Sequence, residues 1–158
     1  VYKRKVLVSE MGSGKLLRLS GPELAQRSDA ASGLQGPVQM IRGRDGMVYL
    51  TQMNGELTRF DPESGALNTL ANGLQLPEGL AELPDGRLLV AEPSAQRLLI
   101  VDPQSGATEV AADNLPIGLK PGPGMPPTGL PTGLAIDAQG QIFFPSDIDN
   151  GLYRLAPN

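Results

Sequence analysis

One repeated stretch constrains the fold of this chain more than any other feature of its sequence. From Pro77 to Gly106, four short apolar segments are separated by turn signals, and no helical period runs between them. The Asp85-Gly86 pair predicts a tight hairpin, because glycine readily adopts the positive φ that such turns require. The stretch is therefore predicted to form a four-stranded antiparallel meander.

The rest of the chain repeats this unit with variations. The leucines of the predicted third strands, Leu16, Leu57 and Leu98, follow one another at intervals of 41 residues, and Leu152 comes 54 residues later. The predicted second strands are apolar at consecutive positions, which indicates burial on both faces. Meanders buried by neighbours of their own kind are typical of β-propeller blades. A sandwich would instead alternate polar and apolar residues, and a parallel β-helix would have shorter repeats.

The sequence thus predicts an all-β fold, a β-propeller of four-stranded antiparallel blades of which about three and a half are present. We expect about 14 strands, in groups of three, four, four and three, within a single partial propeller domain over residues 1–158. The predicted blade segments are about 1–35, 36–76, 77–130 and 131–158, with a Pro/Gly-rich insert at about 115–130.

An open arc of blades would expose hydrophobic blade faces and unpaired sheet edges to water. Two partners could complete the ring. A missing N-terminal half would give about six blades, and a second copy of the chain is the other possibility. The absence of an initiator methionine favours a processed or truncated product, and together with the absence of cysteine it favours a periplasmic or secreted location.

Composition excludes several classes of function. The formal net charge of −4 argues against nucleic-acid binding, which requires a basic surface. With no cysteine and no histidine, the chain has no disulfide framework, no thiolate or imidazole metal site and no Ser-His triad of its own. No apolar run is long enough to predict a transmembrane helix, so no membrane partner is expected.

The stretch from Pro77 to Gly106 contains the motifs P-x-G-L-A, D-G-R-L-L-V-A and R-L-L-I-V-D-P-x-S-G. These motifs resemble the repeat of the regucalcin/gluconolactonase (SGL-like) family. NHL-repeat propellers are similar. The resemblance covers nearly the whole chain, which looks like the C-terminal half of a six-bladed member. It implies a divalent-metal-dependent hydrolase of lactones or related small esters, with no organic cofactor.

The same resemblance implies where the site lies. In this family the middle residue of P-x-G stands at the mouth of the central channel, and the corresponding residues here are Val38, Glu78 and Thr132. Glu78 falls where an aspartate acts as metal ligand and general base. Val38 replaces an asparagine ligand and cannot coordinate a cation, whereas Thr132 lies in the last blade, where no ligand is required. A Ca²⁺, Mg²⁺, Mn²⁺ or Zn²⁺ ion would be bound through oxygen atoms. The other interpretation of Glu78 is a solvated loop carboxylate.

A second candidate cation site lies in a loop of the last blade. Asp147 and Asp149 are alternate carboxylates in a loop that ends in glycine, a pattern that suits calcium. The meander topology places this loop on the same face as Glu78. Formation of a solvated turn is the other interpretation of the two aspartates.

Two classes of function remain from the sequence. In the first, a bound cation polarises a lactone or ester carbonyl and activates water, with Glu78 as the base. In the second, a non-catalytic propeller of NHL type binds a small-molecule ligand or a protein partner through its channel face. The carboxylate at Glu78 favours the first class, and the missing ligand at Val38 favours the second.

Overall fold

The computed structural model of the chain describes residues 5–119, 122–123 and 132–156. Within these ranges the chain forms 14 strands and two single-turn 3₁₀ helices, Pro22–Leu24 and Pro93–Ala95. No helix among the described residues is long and apolar enough to cross a membrane. The prediction of an all-β fold is therefore confirmed.

The first half of the described chain forms two antiparallel sheets, which we call blades 1 and 2. Each is a meander in which consecutive strands pair. Blade 1 consists of β1 (Val6–Glu10), β2 (Lys15–Ser20) and β3 (Gln26–Ala31), and blade 2 of β4 (Pro37–Arg42), β5 (Val48–Gln52), β6 (Leu57–Phe60) and β7 (Leu67–Ala71).

The second half forms blades 3 and 4 in the same way. Blade 3 consists of β8 (Leu80–Glu82), β9 (Leu88–Glu92), β10 (Arg97–Val101) and β11 (Thr108–Ala112), and blade 4 of β12 (Ala135–Ile136), β13 (Ile142–Pro145) and β14 (Leu152–Leu155). Four sheets of three, four, four and three strands are the predicted arrangement. The innermost strands of successive blades contact one another, β4 with β8 and β8 with β12, as blades around a propeller axis do.

One predicted strand differs in extent from the observed one. The sequence predicts a weaker third strand of blade 1 from Leu24 to Leu34, but β3 begins at Gln26, after the 3₁₀ turn at Pro22–Leu24. Glu23 and Leu24 have φ values of 52° and 59°, which a strand cannot accommodate. The chain therefore turns here before it can extend.

Apolar side chains pack between consecutive blades. We call the face of a blade toward the preceding blade its leading face and the other its trailing face. All five residues of β5 and all five of β9 are buried, so these strands are covered on both faces, as the sequence indicated. The three interblade clusters are built around Leu16, Val48 and Leu50; around Leu57, Leu88 and Val90; and around Leu98, Leu89 and Phe144.

A side-chain amide joins the innermost strands of blades 2 and 3. Gln39 Oε1 accepts a hydrogen bond of 3.0 Å from the backbone N–H of Leu80, and Gln39 Nε2 donates one of 3.2 Å to the Leu80 carbonyl. Because Leu80 is buried, water cannot replace these partners. The Gln39 side chain thus forms with the Leu80 backbone the pair of hydrogen bonds that a neighbouring strand forms within one sheet.

We predict that Gln39→Leu lowers the free energy of unfolding by about 2 kcal/mol, because it leaves the buried Leu80 N–H and carbonyl without partners. Gln35→Leu is the matched control. Gln35 is exposed, and its side chain reaches only the Gly33 carbonyl at the surface, so we expect a change of less than about 0.5 kcal/mol. Urea denaturation of both variants measures the difference, and equal effects would show that the Gln39 bridge does not stabilise the blade junction.

Candidate functional site

Buried polar side chains at the ends of the second strands hold the loops that open the blades. Gln52 Oε1 accepts a hydrogen bond of 2.6 Å from the backbone N–H of Gln35, and Glu92 Oε1 accepts one of 2.7 Å from that of Gln75. In blade 4 the Ser146 hydroxyl instead donates to a backbone carbonyl upstream. Sequence reasoning missed these residues, although each stands four positions after a member of the apolar column Val48, Leu88 and Ile142.

The buried Glu92 carboxylate is fixed by its neighbours. Besides the Gln75 N–H, it accepts a hydrogen bond from the guanidinium of Arg97, which also forms an ion pair with it. A fully buried carboxylate held between a backbone N–H and a guanidinium stabilises the loop rather than reacting.

Glu78 is held at the start of blade 3 by backbone bonds to two blades. Its N–H donates to the Ala91 carbonyl at 3.0 Å, and its carbonyl accepts a hydrogen bond of 2.8 Å from the hydroxyl of Thr51 in blade 2. The residue is only 8% exposed. The interpretation of Glu78 as a solvated loop carboxylate is therefore wrong.

The structure brings Glu78 together with Thr132, 54 positions along the chain. Glu78 Oε2 accepts a hydrogen bond of 2.7 Å from the Thr132 N–H, whereas no described residue donates to Glu78 Oε1. Thr132 is 2% exposed, and its hydroxyl, although close enough to the Glu78 carboxylate to lower the pKa of that group, has no well-formed hydrogen bond in the described part of the chain. A buried, unpaired hydroxyl is unusual and is often satisfied by a ligand or a water molecule.

Burial raises the pKa of Glu78 above the usual range of a glutamate, because the low-dielectric surroundings disfavour the charged form. The negative charge of Asp147 acts in the same direction, and the hydrogen bond from Thr132 opposes both. A buried carboxylate with a raised pKa is a candidate acid or base.

Val38, at the position in blade 2 that corresponds to Glu78, offers no ligand. It is half-buried within β4 and carries only an apolar side chain. Of the three positions that the resemblance singles out, the structure thus joins Glu78 and Thr132 and leaves Val38 without a chemical role.

Asp147 anchors backbone groups near the start of the Pro/Gly-rich insert. Its two carboxylate oxygens accept hydrogen bonds of 2.8 Å each from the backbone N–H groups of Gly118 and Leu119. Beside it, the Ser146 hydroxyl donates to the Pro116 carbonyl at 2.5 Å. Residues 120–121 and 124–130 of the insert lie outside the described residues. The contacts thus give Asp147 a structural role, and its part in a cation site stays a prediction.

Asp149 shapes its own loop. One carboxylate oxygen accepts a hydrogen bond of 2.8 Å from the Gly151 N–H, and the other accepts one from the Tyr153 hydroxyl. The Tyr153 hydrogen bond is the main reason that the pKa of Asp149 lies below its usual range. The described residues contain no group of three or more acidic, histidine or cysteine side chains placed to hold a metal ion. A calcium site at Asp147 and Asp149 therefore also stays a prediction.

Comparison with solved structures identifies the class of fold. The chain is similar to a catalytically inactive virginiamycin B lyase from Staphylococcus aureus with quinupristin, at 18% identity and a TM-score of 0.71, over 98% of this chain and 50% of the lyase. It is also similar to the nidogen/laminin complex, at 14% identity and a TM-score of 0.76, over 97% and 55%. A gluconolactonase from Xanthomonas campestris aligns at 14% identity and a TM-score of 0.63, over 97% and 52%.

These similarities confirm the predicted propeller fold and its likeness to gluconolactonase structures, at the level of the fold. The chain spans about half the length of each of these structures. No protein-family model matches the sequence. No curated protein matches it significantly.

Glycine at position 79 allows blades 3 and 4 to approach closely beside Glu78. A Cβ at this position would lie 2.3 Å from the Thr132 carbonyl oxygen and 2.9 Å from Leu134 Cγ.

We predict that Gly79→Ala lowers the free energy of unfolding by about 1–3 kcal/mol, since the backbone of one blade must shift. Gly133→Ala is the matched control, because nothing lies within 4 Å of its added Cβ. Thermal unfolding distinguishes the two, and equal stabilities would contradict the close approach.

The raised pKa of Glu78 also predicts a pH dependence of stability. Because the pKa is higher in the folded state than in the unfolded state, protonation of Glu78 stabilises the fold. This stabilisation is fully present below the usual glutamate pKa and is lost as the pH rises through the higher folded-state pKa. Because glutamine does not titrate, the stability of Glu78→Gln relative to the wild type should increase over this pH window. Urea denaturation between about pH 4 and pH 8 measures it. Glu63→Gln is the control, because Glu63 is exposed in the turn between β6 and β7, at the opposite end of the strands from Glu78. If the difference in stability between Glu78→Gln and the wild type stays constant with pH, the raised pKa of Glu78 is contradicted.

Proposed function

We propose that this chain forms part of the channel face of a gluconolactonase-like propeller that hydrolyses lactones or related small esters, with Glu78 as its reactive carboxylate. One observation carries the proposal: a buried carboxylate holds one oxygen fixed on the Thr132 N–H while its other oxygen accepts no bond from a described residue. A general base needs this combination of fixed orientation and an available lone pair.

The surroundings of Glu78 suit proton transfer. The Thr132 N–H orients the carboxylate, and burial raises its pKa above the usual range of a glutamate, which makes it a stronger base. In the proposed reaction Glu78 Oε1 accepts a proton from the water that attacks the carbonyl carbon, and it returns this proton to the ester oxygen when the carbon–oxygen bond breaks. The unpaired Thr132 hydroxyl lies in the same small region and can donate a hydrogen bond to the substrate.

The residues present fit a divalent cation in part. Glu78 Oε1 and the unpaired Thr132 hydroxyl are two hard oxygen donors of the kind that such ions prefer, while Val38 provides none. If Ca²⁺, Mg²⁺, Mn²⁺ or Zn²⁺ binds, we propose that Glu78 holds it. The ion would then polarise the substrate carbonyl and lower the pKa of the attacking water.

Binding without catalysis is the second candidate function. It is favoured by Val38, which removes an expected ligand, and by the lack of a cluster of three metal-ligating side chains among the described residues. In this case Glu78 Oε1 and the Thr132 hydroxyl would bind the hydroxyl groups of a small ligand, or polar groups of a protein partner, without reaction.

Hydrolysis of a panel of lactones and small esters, with each of the four cations in turn, tests the proposal. Glu78→Gln should reduce kcat/KM by roughly 10²–10⁴-fold, the contribution typical of a general base. Glu63→Gln, on the opposite face, should leave it unchanged. Equal activity of the wild type and Glu78→Gln would contradict the role of Glu78.

Calorimetric titration separates the two candidate functions. Cation binding that Glu78→Gln abolishes, together with hydrolysis, supports the enzyme. A wild type that hydrolyses nothing on the panel but binds a lactone, with an affinity that Glu78→Gln reduces, supports the binding propeller. Absence of both hydrolysis and binding would show that Glu78 is not the centre of a functional site.

A further inference from the structure

Asparagine stands directly before glycine at three places in the chain, Asn54, Asn72 and Asn150. This pair is prone to deamidation, because glycine has no side chain to hinder attack of its backbone nitrogen on the asparagine side chain. The attack requires an exposed asparagine, a glycine N–H that can lose its proton, and room for a succinimide ring. All three asparagines are exposed, so the glycines and their surroundings distinguish the three places.

At two of these places the glycine N–H is bonded within a turn. The Gly55 N–H donates to the Gln52 carbonyl at 3.0 Å. The Gly151 N–H donates to Asp149 Oδ1 at 2.8 Å. Both glycines are also crowded, since an added Cβ would lie 2.6 Å from the Leu74 carbonyl oxygen at the first and 2.9 Å from Asp149 Oδ1 at the second. Each turn must therefore open before its glycine nitrogen can react.

The backbone after Asn72 is open in both respects. Asn72 directly follows β7, in the loop that crosses from blade 2 to blade 3, and both Asn72 and Gly73 are exposed. No described residue accepts a hydrogen bond from the Gly73 N–H, and nothing lies within 4 Å of a Cβ added to Gly73. The backbone is bonded again at Leu74, whose N–H donates to the Gly55 carbonyl at 3.0 Å. The Gly73 nitrogen can therefore react without any turn opening.

We propose that Asn72 is a deamidation site, at which the folded chain converts asparagine to aspartate or isoaspartate. The Gly73 nitrogen loses its proton to solvent and attacks the Asn72 side-chain carbonyl carbon. The bond from this carbon to the amide nitrogen breaks, ammonia leaves with a proton taken from solvent, and a succinimide ring remains. Water then opens the ring: cleavage between the Gly73 nitrogen and the side-chain carbonyl gives aspartate, and cleavage at the main-chain carbonyl gives isoaspartate. The inference is independent of the proposed function.

The two products differ in their consequences for the fold. Asp113 directly follows β11 and occupies the place in blade 3 that Asn72 occupies in blade 2, so the repeat accommodates an aspartate here. Isoaspartate instead lengthens the backbone by one methylene between β7 and Leu74. The N–H of Leu74 is bonded to blade 2 and that of Gln75 to blade 3. We therefore expect isoaspartate, and not aspartate, to loosen the loop that leads to Glu78.

Peptide mapping by mass spectrometry tests the proposal on the folded chain, incubated in mildly alkaline buffer. Trypsin places the three asparagines in different peptides, and fragmentation locates each conversion of an amide to a carboxyl group. Asn72 should react roughly tenfold faster than Asn54 and Asn150, which must first break a turn hydrogen bond. In concentrated urea the three rates should converge, because the Asn-Gly pair is the same and the turns are lost. An isoaspartate-specific carboxyl methyltransferase, used as a reagent, should label the incubated folded chain at position 72.

Asn72→Ser is the matched control, because Ser32 holds the equivalent place after β3 and the fold should be retained. This variant should lose the fast phase of deamidation and keep the slow reaction at Asn54 and Asn150. Equal rates at the three asparagines of the folded chain, or a faster reaction at Asn54 or Asn150, would overturn the proposal. A difference in rate that persists in urea would overturn it as well, because the sequence and not the fold would then select the site.

Discussion

Apolar packing between successive blades is the constraint on which the rest of this structure depends. Each blade in the middle of the arc is a thin sheet covered on both faces, so β5 and β9 are buried along their whole length. No blade could bury its own apolar residues alone, which is why the sequence must repeat. The same requirement favours glycine at position 79, because it permits blades 3 and 4 to approach to a distance that a Cβ would prevent.

This packing also creates the site. As the blades approach, the backbone groups of their opening loops leave water, and each needs a partner. Gln39 satisfies Leu80, Thr51 satisfies the Glu78 carbonyl, and the Glu78 carboxylate satisfies the Thr132 N–H. Most of these bonds use neutral groups. Glu78 is different, because a charged side chain is placed where burial raises its pKa.

The sequence predicted local and repeated features well and contacts between blades poorly. Strand positions, the grouping of strands and the burial of Leu16, Leu57 and Leu98 follow from turn residues and apolar patterns, which are local signals. The bond between Glu78 and Thr132, and that between Asp147 and Gly118, join residues of different blades or loops, whose meeting depends on the curvature of the arc. The structural role of Asp147 was missed for this reason, since alternate carboxylates look alike whether they bind a cation or a backbone.

A comparison of two equivalent positions suggests why Glu78 is present. Val38 occupies the same place in blade 2, and the junction there is held by the neutral Gln39 amide and the Thr51 hydroxyl. The repeat can therefore close a blade junction without a carboxylate. A buried carboxylate costs desolvation energy, and a neutral amide could accept the Thr132 N–H at lower cost. Packing alone does not account for Glu78, whereas the proposed function gives it a role, since a ligand there would meet both the carboxylate and the unpaired Thr132 hydroxyl.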